Sequence, residues 1–176
     1  MAIILLLVIA LAAAVALVRG GSLDRLAETK FRLGLLLLLA LIFQFGLDLW
    51  DPPWLSETGD LIVLLATNLA VAIFLFVNRH LPGMLFAAAG MLLNVIVITA
   101  NGGMPVSEHA AEIAQMPLTE VGIKHELLTD QTRLPWIADV IPVPVIHRVI
   151  SAGDIFLMSG IAFLVYGRAT AAKRSE

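Results

Sequence analysis

Residues 84–106 read MLFAAAGMLLNVIVITANGGMPV and give the clearest indication of the fold class. Its first part, 84–100, carries no charge and a single amide, Asn94. A helix needs about 20 largely apolar residues to cross a bilayer, with a range of roughly 17–25. The two glycines and the proline that follow favour a turn. The stretch therefore predicts a membrane-spanning helix over 84–100 that ends in a turn at the membrane surface.

Small residues recur on one face of this predicted helix. Gly83, Ala87 and Gly90 follow one another at helical spacing. In membranes, small residues let the backbones of two helices approach closely. We therefore expect another helix to pack against this face.

Four further segments of the chain are comparably apolar. Hydrophobic residues make up 60% of the 176 residues and charged residues only 14%, whereas a soluble domain is about 25% charged. The absence of cysteine excludes thiolate metal sites and thiol redox chemistry. We predict a single all-α membrane domain, 1–176, with five transmembrane helices. The other four spans are 2–18, 33–50, 61–77 and 149–167.

The basic residues predict the orientation of these helices. The segments on one side carry eight of the 11 Lys and Arg residues, and those on the other side carry three. Positive charge accumulates in cytoplasmic loops. We therefore predict a multi-pass protein of the bacterial cytoplasmic membrane with its amino terminus outside and its carboxyl terminus inside (N-out/C-in). The inner basic residues are Arg19, Arg25, Lys30, Arg32, Arg79, Arg168, Lys173 and Arg174, and the outer ones are Lys124, Arg133 and Arg148.

The segment 101–148 forms a long extracytoplasmic loop in this topology. Unstructured loops beyond about 12–15 residues are uncommon, and the apolar residues of this one argue against disorder. Ser107 can cap a short helix, which Pro117 should end. A second helical piece is expected over 118–128. The later prolines then favour extended backbone up to the fifth span.

Most polar residues inside the predicted spans lie in their outer halves, whereas Asn68 is expected at mid-bilayer. Asn94 and Asn101 are seven apart and share a helix face, as do Gln44 and Asp48, which are four apart. Asp154 lies near the outer start of the fifth span. Such groups are costly in a membrane, so each is a candidate functional residue. Helix-to-helix hydrogen bonding is the alternative for the amides, whereas a charged Asp154 needs a cation or several donors.

This convergence predicts a polar pocket at the outer leaflet, capped by the 101–148 loop. We expect it to bind a lipid headgroup, an amphipathic ligand or a partner protein. Lys124, His125 and Arg133 would meet an anionic group, and Asn94, Asn101 and Asp154 would fix its orientation. The predicted ligand-binding residues are Asn94, Asn101, Lys124, His125, Arg133, Asp139 and Asp154.

Two other functions remain open at this stage. Asp154 or His125 could act as a general base on a lipid-linked substrate, or the protein could be an accessory subunit of a larger complex. The spacings of His109, His125 and His147 match no compact metal motif, so no metal or cofactor is expected. We expect membrane lipids, and a protein partner or a second copy, as partners, and no nucleic acid.

Several short motifs resemble those of a known protein family. They are NGGMPV at 101–106, KHELLT at 124–129, TRL at 132–134, ADVIP at 138–142 and SAGD at 151–154. With the five spans, they resemble a family of small bacterial membrane proteins of actinobacteria and clostridia that is catalogued as a domain of unknown function. The resemblance covers most of the chain. It implies a bacterial origin and a multi-span fold, and it carries no activity.

Overall fold

The computed structural model describes residues 2–49, 56–117 and 125–171. These residues are mostly helical, with four short strands between the helices at 84–101 and 152–170. The helices are α1 Ala2–Val18, α2 Leu23–Ala27, α3 Gly34–Leu49, α4 Glu57–Val77, α5 Met84–Asn101, α6 Glu108–Ala114 and α7 Ala152–Thr170. The strands are β1 Met104–Val106, β2 His125–Leu127, β3 Ile141–Val143 and β4 Arg148–Ile150.

The five long helices form a row in the order α1, α7, α5, α4, α3. Helix α5 packs against α7 on one side and α4 on the other, while α1 and α3 lie at the edges of the row. The main apolar cluster lies between the central helices and includes Phe74, Leu75, Met84 and Leu164. Large apolar side chains on α1 and α3 are exposed, as expected for helices that face lipid.

Glycines set the distance between α5 and α7. A Cβ on Gly90 would collide with the backbone of α7 at Gly153 and Leu157. A Cβ on Gly160 would likewise collide with the backbone of α5 at Gly83 and Ala87. The predicted close approach to the small-residue face is therefore confirmed. Its partner is the fifth predicted span.

Residues 102–117 and 125–151 form a folded unit, called the cap below, at the ends of α5 and α7. Strand β1 pairs with β2 in parallel, and β3 pairs with β4 in antiparallel orientation. Apolar residues of the cap, such as Ala138, pack against α4 and α5 residues such as Leu64 and Val97. The predicted helix α6 is present, since Ser107 Oγ accepts a hydrogen bond from Ala110 N (3.2 Å).

The expected helix over 118–128 is wrong where the structure can test it. Residues 118–124 lie outside the described residues, and His125–Leu127 form strand β2. The edge of β1 offers hydrogen-bond partners that a local helix would forgo, and Leu128 N donates to Val106 O (2.8 Å). The last helix also begins at Ala152, because residues 148–150 pair in β4.

At the opposite end, the segments 19–33 and 78–83 and the last turn of α7 form what we call the basic end. The backbone N–H of Ser22 donates to Ala169 O (2.9 Å), and Arg25 Nη1 donates to Ala171 O (2.9 Å). These donors satisfy carbonyl groups at the C-terminus of α7 that have no partner within the helix.

Three of the predicted spans are helices long and apolar enough to cross a membrane. They comprise Thr58–Val77, Met84–Asn101 and Ala152–Thr170. The remaining two predicted spans contain shorter apolar helices, Ile3–Val18 and Gly34–Gln44, in the described part of the chain. A five-span count and the N-out/C-in orientation stay predictions.

Candidate functional site

A buried polar cluster lies where α5, α7 and the cap meet. Asn94 Nδ2 donates to Asp154 Oδ1 (2.9 Å), and Ser151 Oγ donates to Asn94 Oδ1 (2.9 Å). The backbone N–H of Ser151 donates to Asp154 Oδ2 (3.1 Å), and that of Asp154 donates to Ser151 Oγ (3.0 Å). Ser151 is 0% exposed and Asp154 6%. Both carboxylate oxygens of Asp154 therefore accept hydrogen bonds from donors within the protein.

Local sequence explains the contacts between Ser151 and Asp154 in this cluster. Ser151 and Asp154 form a capping box, in which each side chain satisfies a backbone N–H of the first turn of α7. The carboxylate also complements the positive end of the helix dipole. A Cβ on Gly153 would collide with the Asn94 side chain, so glycine leaves the space that the amide occupies.

Asp139 adds a second carboxyl group to this region. Its backbone is fixed by two hydrogen bonds, from Asp139 N to Pro105 O (2.9 Å) and from Ser107 N to Asp139 O (2.9 Å). Burial raises the pKa of Asp139 to about 8, and the negative charge of Asp154 adds to the effect. The positive charge at the amino terminus lowers this pKa by a smaller amount. Asp139 therefore holds its proton at neutral pH, next to a second acid.

Asn101 lies elsewhere, at the end of α5, and holds the backbone of Arg133. Asn101 Nδ2 donates to Arg133 O (3.0 Å) and to Val97 O (2.9 Å), and Arg133 N donates to Asn101 Oδ1 (2.8 Å). We call this arrangement an asparagine clamp. It uses both amide donors of Asn101 and leaves the Arg133 side chain exposed. Leu134, the next residue, has a left-handed backbone with φ of 57°.

The same clamp recurs at the basic end, where the sequence reading missed it. Asn78 Nδ2 donates to Arg32 O (2.9 Å) and to Phe74 O (2.8 Å), and Arg32 N donates to Asn78 Oδ1 (2.8 Å). Leu33 then also has φ of 57°. A signal was present: both asparagines precede a proline by four positions, and both clamped arginines precede a leucine.

The structure thus divides the predicted ligand-binding residues into separate groups. Asn94, Asp139 and Asp154 lie in or beside the buried cluster, whereas Asn101 and Arg133 form the clamp. Lys124 lies outside the described residues, and the structure describes His125 only in its backbone. Whether these residues bind a ligand stays a prediction.

Other predicted features have separate positions. His147 Nδ1 lies 3.2 Å from Ala114 O. No group of three or more His, Asp or Glu side chains that could hold a metal occurs among the described residues. An apolar groove of about 330 Å³ lies between α3 and α4, lined by residues such as Phe43, Ile62 and Thr67.

These features define a helical protein in which several helices are apolar enough for a membrane and a folded cap joins two of them. The chain belongs to a family of unknown function, DUF5317, whose profile matches residues 28–166. It is 34% identical over 122 residues to an uncharacterized protein of Thermotoga maritima, covering 66% of this chain and 71% of that protein. The predicted membership in a family of unknown function is confirmed. No solved structure matches the chain.

Proposed function

We propose that this protein is a membrane-embedded binding protein that holds the anionic headgroup of a lipid or lipid-linked ligand against its cap. The observation that carries the proposal is the state of Arg133. Its backbone is fixed on both sides by Asn101, while its side chain is exposed. Within the described residues the guanidinium makes no hydrogen bond or ion pair.

The position of Arg133 suits a headgroup. Asn101 is the last residue of α5, whose 18 residues span about 27 Å, close to the roughly 30 Å of a bilayer's hydrocarbon core. Arg133 would therefore lie at the depth of lipid phosphates. Trp136, three residues on, is 70% exposed, and tryptophan favours this interface.

The chemistry of the side chain agrees with this position. A guanidinium presents a planar set of donors that can bind two oxygens of one phosphate or carboxylate. Because the clamp already fixes the backbone, little main-chain freedom is lost when a ligand binds. Lys124 and His125 are proposed to add positive charge from the same cap.

The buried cluster has a supporting role in this proposal. Every oxygen of the Asp154 carboxylate and the amide of Asn94 are already engaged within the protein. We therefore assign these residues to holding the cap on α5 and α7, so that Arg133 keeps its place relative to the membrane surface.

Native mass spectrometry of the detergent-purified protein tests the proposal, with short-chain phosphatidylglycerol as the anionic probe and phosphatidylcholine as the zwitterionic one. Losing one charge-assisted hydrogen bond costs about 1.5–3 kcal/mol, so Arg133→Gln is expected to weaken phosphatidylglycerol binding about tenfold or more. Arg133→Lys should retain part of the affinity. Arg148→Gln, which removes a different cap charge, is the matched control.

Three results would contradict the proposal. Equal binding of both lipids by the wild-type protein would remove the anionic preference. Equal losses in Arg133→Gln and Arg148→Gln would indicate a diffuse surface charge. A protein partner that copurifies in fixed stoichiometry and covers Arg133 would instead indicate an accessory subunit of a larger complex.

A second candidate function is supported by Asp139. Its raised pKa gives a buried acid that keeps its proton at neutral pH, as a general acid for a lipid-linked substrate would require. We test it by incubating the protein with bacterial lipid extract and following products by mass spectrometry. Turnover that is lost in Asp139→Asn and declines above about pH 8 would favour it. Binding without turnover would exclude it.

A further inference from the structure

The basic end carries a second arrangement that the cap proposal does not use. Asn78 is 0% exposed and holds the backbone of Arg32 on both sides. The Arg32 side chain is exposed. Phe31, the preceding residue, anchors the segment through its ring, which lies 5.9 Å from the ring of Phe74. Arg32 is thus held at the point where α4 ends and α3 begins.

Two further basic residues lie beside it. Arg79 directly follows the clamping Asn78, and Lys30 precedes Arg32 by two positions; both are exposed. Arg79 is itself positioned, because its Nη1 donates to Phe76 O (3.2 Å) and its guanidinium carbon lies 4.6 Å from the centre of the Phe76 ring. Arg32 is therefore held on the buried Asn78, Arg79 follows that asparagine directly, and Lys30 lies two residues before Arg32.

The charges at this end are not neutralised within the described part of the chain. Its acidic residues there are Asp24 and Glu28, and neither forms an ion pair with the three basic side chains. The N-terminus of α3 starts at Gly34, two residues after Arg32, and adds the positive end of a helix dipole. The C-terminus of α4, which Asn78 caps, contributes the negative end of a second dipole at the same place.

We propose that Lys30, Arg32 and Arg79 form a binding site for the phosphodiester headgroup of an anionic membrane lipid at the basic end. Basic side chains between the ends of membrane helices are suited to such headgroups. Arg32 and Arg79 offer planar donor sets for phosphate oxygens, and Lys30 adds a third charge. The site is independent of the cap proposal, because the two clamps lie at opposite ends of α5.

The test uses the full-length protein in detergent, titrated with short-chain phosphatidylglycerol and, separately, with inorganic phosphate, and read by native mass spectrometry. One basic residue near an anionic surface contributes about 1 kcal/mol, which is about fivefold in affinity. We expect Arg32→Gln and Arg79→Gln each to lower the affinity for one bound lipid about fivefold, and the double variant to lower it about 25-fold. Arg32→Lys should keep most of the affinity, and Arg133→Gln should leave this lipid in place.

Thermal unfolding of each variant separates binding from folding, since the clamp uses only the backbone of Arg32. Unchanged melting temperature with lost lipid supports the site. Unaltered lipid binding by the double variant would overturn the proposed site. Binding of inorganic phosphate with the same affinity as the lipid would also overturn it. If Arg133→Gln alone abolishes all lipid binding, the basic-end site is wrong while the cap proposal survives.

Discussion

Replacing Asp139 by Asn is expected to remove a pH dependence that this one carboxyl group gives to the stability of the cap. Asp139 is 6% exposed, and burial together with the charge of Asp154 raises its pKa from 3.8 to about 8. Asparagine has nearly the same shape as the protonated acid and cannot ionise. The variant therefore preserves the neutral form at every pH.

The sign of the effect follows from proton linkage. Between about pH 4 and pH 8 the unfolded chain has released the proton that the folded protein still holds at Asp139. The free energy of unfolding of the wild-type protein should therefore fall by about 1.4 kcal/mol per pH unit over this window. The loss amounts to about 6 kcal/mol in total and is complete above the folded-state pKa.

The measurement is thermal unfolding in detergent, followed by intrinsic tryptophan fluorescence from about pH 5 to about pH 8. Because other groups titrate in the same range, the informative quantity is the difference between wild type and Asp139→Asn at each pH. That difference should grow with pH in favour of the variant. Asp130→Asn, which changes an exposed aspartate of the same cap, should follow the wild-type curve.

Two outcomes would refute this reasoning. If the wild-type and Asp139→Asn curves stay parallel across the window, Asp139 is not a buried acid with a raised pKa. If the variant is less stable than the wild type near pH 8, the charged form of Asp139 stabilises the fold, and the predicted direction of the pH effect is wrong.

Three further substitutions test the packing and the hydrogen bonds that hold the site. Gly90→Ala should lower the free energy of unfolding by about 1–3 kcal/mol, because the added Cβ would collide with the α7 backbone. Gly46→Ala is the control and should be tolerated, because its Cβ would meet nothing within 4 Å in the described residues. Equal melting temperatures of the two variants would contradict the close packing of α5 on α7. Asn78→Ala removes three hydrogen bonds of about 1 kcal/mol each and should increase hydrogen exchange at Arg32, and unchanged exchange would argue against the clamp. Ser151→Ala should cost about 0.5–2 kcal/mol in thermal unfolding, with Ser159→Ala, outside the capping box, as the comparison.

The helices could be predicted from sequence because their signal is local. The uncharged stretch around Asn94 and the glycine turn after Asn101 require only hydropathy and turn chemistry, and the structure gives a helix over Met84–Asn101. The cap helix α6 could be predicted in the same way, since Ser107 and the first turn lie within a few residues of each other. Strand β2 was not, because its partner β1 lies some twenty residues away in the chain.

The candidate site shows the same division. The sequence indicated that polar groups gather near the outer ends of the spans, and that Asp154 needs several donors. It could not indicate which donors, because Asn94 and Asp154 are 60 residues apart and meet only when glycines let α5 and α7 pack closely.

The sequence alone indicates several membrane-compatible helices, a long segment with apolar residues before the last of them, and a concentration of basic residues at one end of the molecule. These properties depend on composition and short-range spacing. The placement of Asp139 near Asp154, and the hold of Asn78 and Asn101 on the backbone of an arginine, become visible only in the folded protein. Burial, and the pairing of groups distant in the chain, arise when helices and cap pack together, and they are absent from any local pattern of residues.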